Sequence, residues 1–187
     1  MIRDTFIARK YSIAFLNLYI DKIDDNTFLN IEKTLTYLLY NHDVLSFFSL
    51  PNISLADKIN LIEIFLKKFQ LPEEFKSLIL LLIKHNRITL ITDVLKYISY
   101  IYQDMTNSMK FEITSVCKLS ESDINILENF LVKKTGKKII PVFRINKNLI
   151  AGISIQSDLM MWEFSISQQL KKANKIAYKE VERLNGN

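Results

Sequence analysis

Few side chains of this chain could do chemistry, and none of them forms a catalytic pattern. His42 and His85 lie far apart at predicted helix ends, where a capping or solvated role is commoner than acid–base catalysis. Cys117 is the only cysteine, which excludes an intramolecular disulfide and fits a reducing compartment. One cysteine and two distant histidines cannot supply a zinc ligand set. The sequence therefore predicts no enzyme, no metal site and no cofactor.

Carboxylates and glycines also lack the spacing of an active site. Asp24-Asp25 and Glu73-Glu74 are adjacent pairs at helix starts, where negative charge suits the helix dipole. Adjacent side chains on a helix point apart, which disfavours shared acid–base work. Gly152 is a single glycine in a predicted strand, and the chain contains no GxGxxG or GxxxxGK[ST] phosphate loop.

Charge and glycine are distributed unevenly along the 187 residues. Basic and acidic residues balance in residues 1–107, so the net charge of +5 belongs to residues 108–187, which also hold all three glycines. This change predicts two domains, 1–107 and 108–187. The longest apolar run, residues 78–83, is far shorter than the roughly 20 residues of a membrane span.

Helical periodicity predicts an antiparallel bundle of six helices in residues 1–107. Residues 75–102 form two of them, joined at a polar corner at 84–87. Helix one is expected over residues 4–19, with Asp4 as N-cap. The predicted core stripes are Ile7, Tyr11, Ala14, Phe15 and Leu18 in helix one, Phe28, Ile31, Leu35, Leu38 and Leu39 in helix two, Phe75, Leu78, Ile79 and Leu82 in helix five, and Ile91, Val94, Leu95, Ile98 and Tyr102 in helix six.

Helices one and five carry more apolar residues than one core stripe can use. Phe6, Ile13 and Ile20 lie off the stripe of helix one, and Leu80, Leu81 and Ile83 lie off that of helix five. Either these helices are central in the bundle, or a groove receives an amphipathic helix from another protein. The periodicity leaves both interpretations open.

Residues 108–187 predict a small α+β domain in the order β-α-β-β-α. Residues 111–117 alternate as a strand does, and Ser120 with Asp123 approximates a capping box for a helix that ends at Gly136. Strands over 139–145 and 149–155 are expected to form a hairpin around residues 146–148. Residues 160–162 then lead into a last helix with Ile166, Leu170 and Ala173 buried. The fold class is thus mainly α, a six-helix bundle followed by a small α+β domain.

The basic residues of the second domain leave one alternative function open. Lys133-Lys134, Lys137-Lys138 and Lys171-Lys172 form small clusters without interleaved aromatic residues. A solvated surface explains them better than nucleic-acid binding does. The alternative remains a two-domain nucleic-acid-binding or assembly adaptor that uses this basic domain.

Five segments carry a resemblance to a known family. Residues 8–14 (ARKYSIA) look like A-R-[RK]-Y-A-x-A, and residues 75–102 like a helix pair F-x-x-[LF]-L-x-L-L-x-x-x-x-R-x-x-x-[LI]. Residues 113–120 resemble V-T-[ST]-A-x-[PE]-L-[ST], residues 149–155 resemble [LI]-I-G-G-[IV]-x-[IV], and residues 163–166 stand where D-x-S-[IV] is expected. In this order they resemble the delta subunit of F-type ATP synthases, called the oligomycin-sensitivity-conferring protein in mitochondria.

The resemblance implies a non-catalytic subunit of the peripheral stalk, bound at the cytoplasmic face of a bacterial inner membrane. Its helical domain would hold N-terminal helices of alpha subunits against helices one and five, and its second domain would bind the C-terminal end of the b subunits. No nucleic acid, small-molecule substrate or cofactor is implied. The expected alpha-subunit groove is Phe6, Ala8, Tyr11, Ile13, Leu80, Leu81 and Ile83; the expected stalk-contact or structural residues are Ile150, Gly152, Ile153, Ser165 and Leu170.

Overall fold

The structure is a computed structural model that describes residues 2–50, 52–149, 151–158 and 160–165. The chain divides into two compact units, Met1–Thr106 and Asn107–Asn187. We call them the helical unit and the sheet unit.

The helical unit contains the six predicted helices. They are α1 (Ile2–Tyr19), α2 (Asp25–Tyr40), α3 (His42–Ser49), α4 (Leu55–Phe69), α5 (Glu74–Lys84) and α6 (Ile91–Met105), with 3₁₀ turns at Ile20–Lys22 and Ile88–Leu90. Because α1 begins at Ile2, Asp4 lies in its first turn and is not the predicted N-cap.

Local signals set where these helices begin and end. The Asp24 carboxylate accepts a hydrogen bond from the Thr27 amide at 2.7 Å and caps α2, and this bond lowers the pKa of Asp24. Ser54 caps α4, since its hydroxyl accepts a hydrogen bond from the Asp57 amide at 3.1 Å. Gln70 and Asn86 adopt the left-handed conformation, with φ of 52° and 55°, where α4 and α5 stop.

The predicted core faces of α5 and α6 are confirmed. All nine of their stripe residues are buried, and Ser99 of α6 is buried as well. The prediction for α2 is wrong in part, since Leu39 is exposed while Thr34 is buried. Thr34 tolerates burial because its hydroxyl donates to the Asn30 carbonyl at 2.7 Å.

The predicted core face of α1 is wrong in part, since Phe15 of the predicted stripe is buried but the buried side is rotated away from Ala14 and Leu18. Its buried residues are Ala8, Ser12, Phe15 and Leu16, whereas Ala14 and Leu18 are exposed. The Ser12 hydroxyl lies 2.9 Å from the carbonyl oxygens of both Ala8 and Val94. Ala8 and Ser12 are one turn apart and small, so α1 packs most extensively on α6 along this side.

The sheet unit contains one mixed sheet and one described helix. Its elements are β1 (Ser108–Ser115), α7 (Glu121–Thr135), β2 (Lys138–Ile145), β3 (Gly152–Gln156) and β4 (Met161–Ser165). The strand order is β2-β1-β3-β4. β1 pairs in parallel with β2 and antiparallel with β3, and β4 is antiparallel to β3.

Two strand predictions in this unit are therefore corrected. The expected hairpin of β2 with β3 does not form, because β1 lies between them and a 3₁₀ turn, Lys147–Leu149, occupies the predicted turn. Residues 161–165 form an additional strand instead of leading directly into a helix. The expected last helix, with Ile166, Leu170 and Ala173, lies outside the described residues.

The core of the sheet unit lies between the sheet and α7. The register places Ile155 beside Ile113, and Leu131 of α7 packs into the same buried cluster. The capping box of Ser120 with Asp123 is confirmed. Gly136 ends α7 with a φ of 66°, as predicted for a glycine C-cap.

The outer edge of β2 is interrupted by a proline. The amides of Lys138 and Asn146 donate toward β1, to Asn107 and Ser115. Because successive backbone N–H groups of a strand point to opposite edges, the backbone positions 139, 141, 143 and 145 point away from β1. Pro141 therefore lies in the middle of this edge and removes one outward N–H.

Candidate partner-binding surfaces

No group of three or more His, Cys, Asp or Glu residues that could hold a metal ion occurs among the described residues. Within the same ranges, no helix is long and apolar enough to cross a membrane. Exposed apolar side chains are present on both units, and they include Phe6, Leu18, Leu81 and Ile126. These side chains define the candidate surfaces.

In the helical unit, α1 and α5 are antiparallel neighbours. The rings of Phe15 and Phe75 pack tilted, with centroids 4.6 Å apart. The Lys22 ammonium, just after α1, binds the Glu74 carboxylate at the start of α5. Arg87, just after α5, donates to the Tyr11 hydroxyl at 3.4 Å. Contacts at both ends of α5 thus hold it against the C-terminal half of α1.

The Lys22–Glu74 pair orients this contact more than it stabilises it. The hydrogen bond from Lys22 lowers the pKa of Glu74, and the same bond raises the pKa of Lys22. Lys22 remains 60% exposed, so water screens most of the attraction. The pair therefore shows which sides of α1 and α5 lie next to each other, and contributes little to stability.

Apolar side chains remain open along the outer side of this helix pair. Leu18 is 73% exposed and lies about 20° around the helix axis from Tyr11, given roughly 100° per residue. Leu81 is 42% exposed and lies about 20° from Glu74, which binds Lys22 beside α1. Tyr11, Leu18 and Leu81 therefore face the same side, which we call the α1–α5 surface.

Leu80 and Ile83 of the predicted groove lie on another side of α5. They are about 40° and 20° from Lys76 around the helix, and Lys76 binds Glu63 of α4. Both side chains are half-buried. Leu80 and Ile83 thus belong to the contact with α4 and do not line the α1–α5 surface.

Ala8, Phe6 and Ile13 also fall outside the α1–α5 surface. Ala8 is fully buried where α6 crosses α1, so it offers nothing to a partner. Phe6 and Ile13 are exposed on the opposite side of α1, about 140° and 160° from Tyr11. Of the seven predicted groove residues, only Tyr11 and Leu81 lie on the α1–α5 surface.

The sheet unit has an apolar groove between α7 and β3. Its volume is about 410 Å³, and Ile126 at its margin is 66% exposed. Gly152 lies in its wall with a φ of 109°, a conformation that other residues rarely adopt. The remaining lining residues are Leu127, Phe130, Ile153 and Ile155.

Three of the five predicted stalk residues lie among the described residues, and two do not. Gly152 and Ile153 line the groove. Ser165 ends β4 and pairs with Gly152, so β4 stops beside the groove. Ile150 and Leu170 lie outside the described residues. The Lys134 ammonium lies 5.9 Å from the centre of the Phe130 ring, and both Lys133 and Lys134 are exposed.

Sequence reasoning missed Leu18 and Ile126 as surface residues. The signal for Leu18 was present in Ala8 and Ser12, since small residues four apart on a helix allow another helix to approach closely. Taking that side as buried would have placed Leu18 outside. Ile126 lies next to the half-buried Leu127, and neighbouring apolar residues on a helix do not reveal which one faces the sheet.

The chain is similar to known proteins over almost its full length. A family described as ATP synthase delta (OSCP) subunit matches residues 7–176. ATP synthase subunit delta of Rickettsia canadensis is 28% identical over 170 residues, covering 90% of this chain and 92% of the relative. That of Rickettsia felis is 26% identical over 181 residues, covering 97% and 98%. The fold also resembles a chain in the mitochondrial ATP synthase hexamer of Toxoplasma gondii, with a TM-score of 0.54, 10% identity, and coverage of 91% and 97%.

Proposed function

Because the chain belongs to the ATP synthase delta (OSCP) subunit family, we propose that it joins the alpha subunits of the catalytic head to the b subunits of the stator. It is a peripheral-stalk subunit of an F-type ATP synthase, a complex associated with a membrane. The family is non-catalytic, and the proposed role is mechanical: the protein keeps the head from turning with the rotor. We place it at the cytoplasmic face of a bacterial inner membrane. The nucleic-acid adaptor alternative is not favoured.

The α1–α5 surface is our proposed site for an N-terminal helix of an alpha subunit. The observation that carries this proposal is the exposure of Leu18 and Leu81 along a helix pair that is held together at both ends of α5. An amphipathic helix could bury both side chains, and each fully buried leucine contributes about 1.5–3 kcal/mol before ordering costs. The contacts are preformed, which suits a joint that transmits force.

The apolar groove of the sheet unit is our proposed site for the C-terminal end of a b subunit. Its described lining is almost wholly apolar, and Ile126 and Ile153 leave hydrocarbon surface open beside it. Such a groove suits the apolar face of a partner helix. The two proposed sites lie on different units, as a link between head and stalk requires.

The experiment titrates the full chain calorimetrically with a peptide copying the N-terminus of the cognate alpha subunit. Leu81→Asp places a carboxylate in the apolar contact and should cost about 2–4 kcal/mol, a roughly thirtyfold to thousandfold loss of affinity. Leu81 is not part of the buried stripe of α5, so circular dichroism should report an unchanged fold.

Ile13→Asp is the matched control. It introduces the same charge on the opposite side of α1, at a comparably exposed isoleucine. Affinity for the alpha peptide should stay within about twofold of the unmodified chain. Equal losses in the two variants, or no loss in Leu81→Asp, would exclude the α1–α5 surface as the binding site.

A further inference from the structure

A second groove of the helical unit lies between α1 and α6. Its volume is about 270 Å³. Arg9 and Ile13 of α1 line one side, and Tyr97, Tyr100, Ile101 and Asp104 of α6 line the other. Ile13 is about 160° around α1 from Tyr11, so this groove is separate from the α1–α5 surface.

The side chains of this groove are apolar at its base and charged on its walls. Ile13 is 37% exposed, Tyr97 and Ile101 are half-buried, and Tyr100 is 71% exposed. Phe6 lies about 20° from Ile13 around α1 and is also exposed, so the apolar surface continues one to two turns toward the start of the helix. This shape accommodates apolar side chains spaced along one helix.

The two walls carry opposite charges that do not pair with each other across the groove. Arg9 lies on the α1 wall and Asp104 on the α6 wall, yet they form no ion pair with each other or with any other described residue. A guanidinium binds a carboxylate, and a carboxylate binds an ammonium or guanidinium. An occupant that satisfies both walls carries an acidic group on one flank and a basic group on the other.

We propose that the α1–α6 groove binds one amphipathic helix of another protein, with apolar residues against Ile13 and Ile101, an acidic residue at Arg9 and a basic residue at Asp104. The volume is below the range of about 300–1,000 Å³ that small-molecule sites occupy. A concave surface does not complement its own copy, which disfavours a second copy of this chain. The inference goes beyond the proposed function, since it does not depend on what binds the α1–α5 surface.

The test uses the full chain and three synthetic fifteen-residue helical peptides that share one leucine ridge. One peptide carries glutamates on one flank of the ridge and lysines on the other, the second carries lysines on both, and the third carries glutamates on both. Binding is measured by fluorescence anisotropy at low ionic strength, because salt screens the attraction between surface charges. The mixed peptide should bind at least tenfold more tightly than the other two, because it alone places an opposite charge at both walls. A helix that reverses its direction in the groove exchanges its two flanks. A peptide with glutamates and lysines swapped between the flanks is therefore not a useful control.

Variants then locate the site. Arg9→Glu makes both walls acidic and should transfer the preference to the peptide with lysines on both flanks. Ile13→Asp should weaken all three peptides at least tenfold, whereas Leu81→Asp on the α1–α5 surface should leave them unchanged. The alpha-subunit peptide is expected to respond in the opposite way to these two variants, so each proposal fails separately.

Three outcomes would overturn the inference. Equal affinities for the three peptides would show that the charged walls recognise nothing. Losses caused by Leu81→Asp and not by Ile13→Asp would place the peptides on the other surface. A dimer in analytical ultracentrifugation that Arg9→Glu dissociates would make a second copy of the chain the occupant.

Discussion

The helical unit and the sheet unit expose apolar surface in different ways. In the helical unit, one helix carries exposed apolar side chains on two sides: α1 has Leu18 on one side and Phe6 and Ile13 on the other, with Ala8 and Ser12 among its buried residues. In the sheet unit, the exposed apolar side chains lie on different elements: Ile126 of α7 borders the groove beside β3, and Phe143 and Ile145 lie on β2. A helix at the edge of a bundle can thus present two separate surfaces, whereas the described part of the sheet unit divides its exposed apolar residues between a helix and a strand.

Core truncation tests whether the two units are independent, and it should have the largest effect. Phe75 and Phe111 are both fully buried, one in each unit, and each change to alanine should cost about 3–5 kcal/mol. Circular dichroism follows mainly the helical unit, and fluorescence of Trp162, the only tryptophan, follows the sheet unit. Phe75→Ala should lower the denaturant midpoint of the first signal and Phe111→Ala that of the second.

This pair of variants can also contradict the two-domain proposal. If either substitution moved both signals together by the same amount, the chain would unfold as one cooperative unit. The two proposed binding surfaces would then belong to a single cooperative folding unit.

Gly152→Val sharpens the comparison on the sheet side. Valine at a φ of 109° is strained, and such strain costs about 1–3 kcal/mol. The added side chain would also alter the groove wall, so a peptide copying the C-terminal end of the b polypeptide should bind more weakly. Gly136→Ala is the control: its φ is 66° and a Cβ there meets nothing within 4 Å, so only stability should fall. Unchanged stability and unchanged peptide affinity in Gly152→Val would deny this glycine a structural role.

Tyr102→Phe should give the smallest effect, confined to the helical unit. The buried Tyr102 hydroxyl lies 3.3 Å from the Ile23 carbonyl and 3.4 Å from Asp25, and burial, followed by the nearby Asp25 charge, raises the pKa of Tyr102 to about 12. Because the unfolded phenol ionises near pH 10, its stabilising effect is complete below pH 10 and is lost as pH rises toward 12.

The measurement is the free energy of unfolding at pH 9 and pH 11 in both proteins. The unmodified chain should lose roughly 1 kcal/mol more than Tyr102→Phe over this interval. The other tyrosines are common to both proteins and cancel in the difference. Identical losses would show that Tyr102 titrates in the folded state as an exposed tyrosine does.

The sequence predicted helices better than it predicted faces or strand partners. The stripes of α5 and α6 were correct because each is the widest apolar face of its helix. In α1 the apolar residues surround the axis, so periodicity could not show which side is buried. Ser12 was not expected in the core because it is polar, yet its hydroxyl is buried against the Val94 carbonyl. For that reason only Tyr11 and Leu81 of the predicted groove lie on the α1–α5 surface.

Strand pairing failed for a different physical reason. The apolar residues in 139–145 and 149–155 predict two strands, but they carry no information on which strand edges pair. β1 lies between β2 and β3, with Ile113 opposite Phe143 in one neighbour and opposite Ile155 in the other. The family resemblance supplied the function, while the location of both proposed sites needed the three-dimensional arrangement.

Pro141 bears on the life of this protein before it is assembled. A newly made chain has to remain in solution until its partners are available, and a straight outer strand with free amides can recruit the same strand of another molecule. The outward positions of β2 include Phe143 and Ile145, which are apolar and exposed, so that risk is concentrated there. The missing amide at Pro141 interrupts this row, so the described outer edge of β2 offers a second strand fewer hydrogen bonds. We expect the proline to disfavour edge-to-edge association of the unassembled chain.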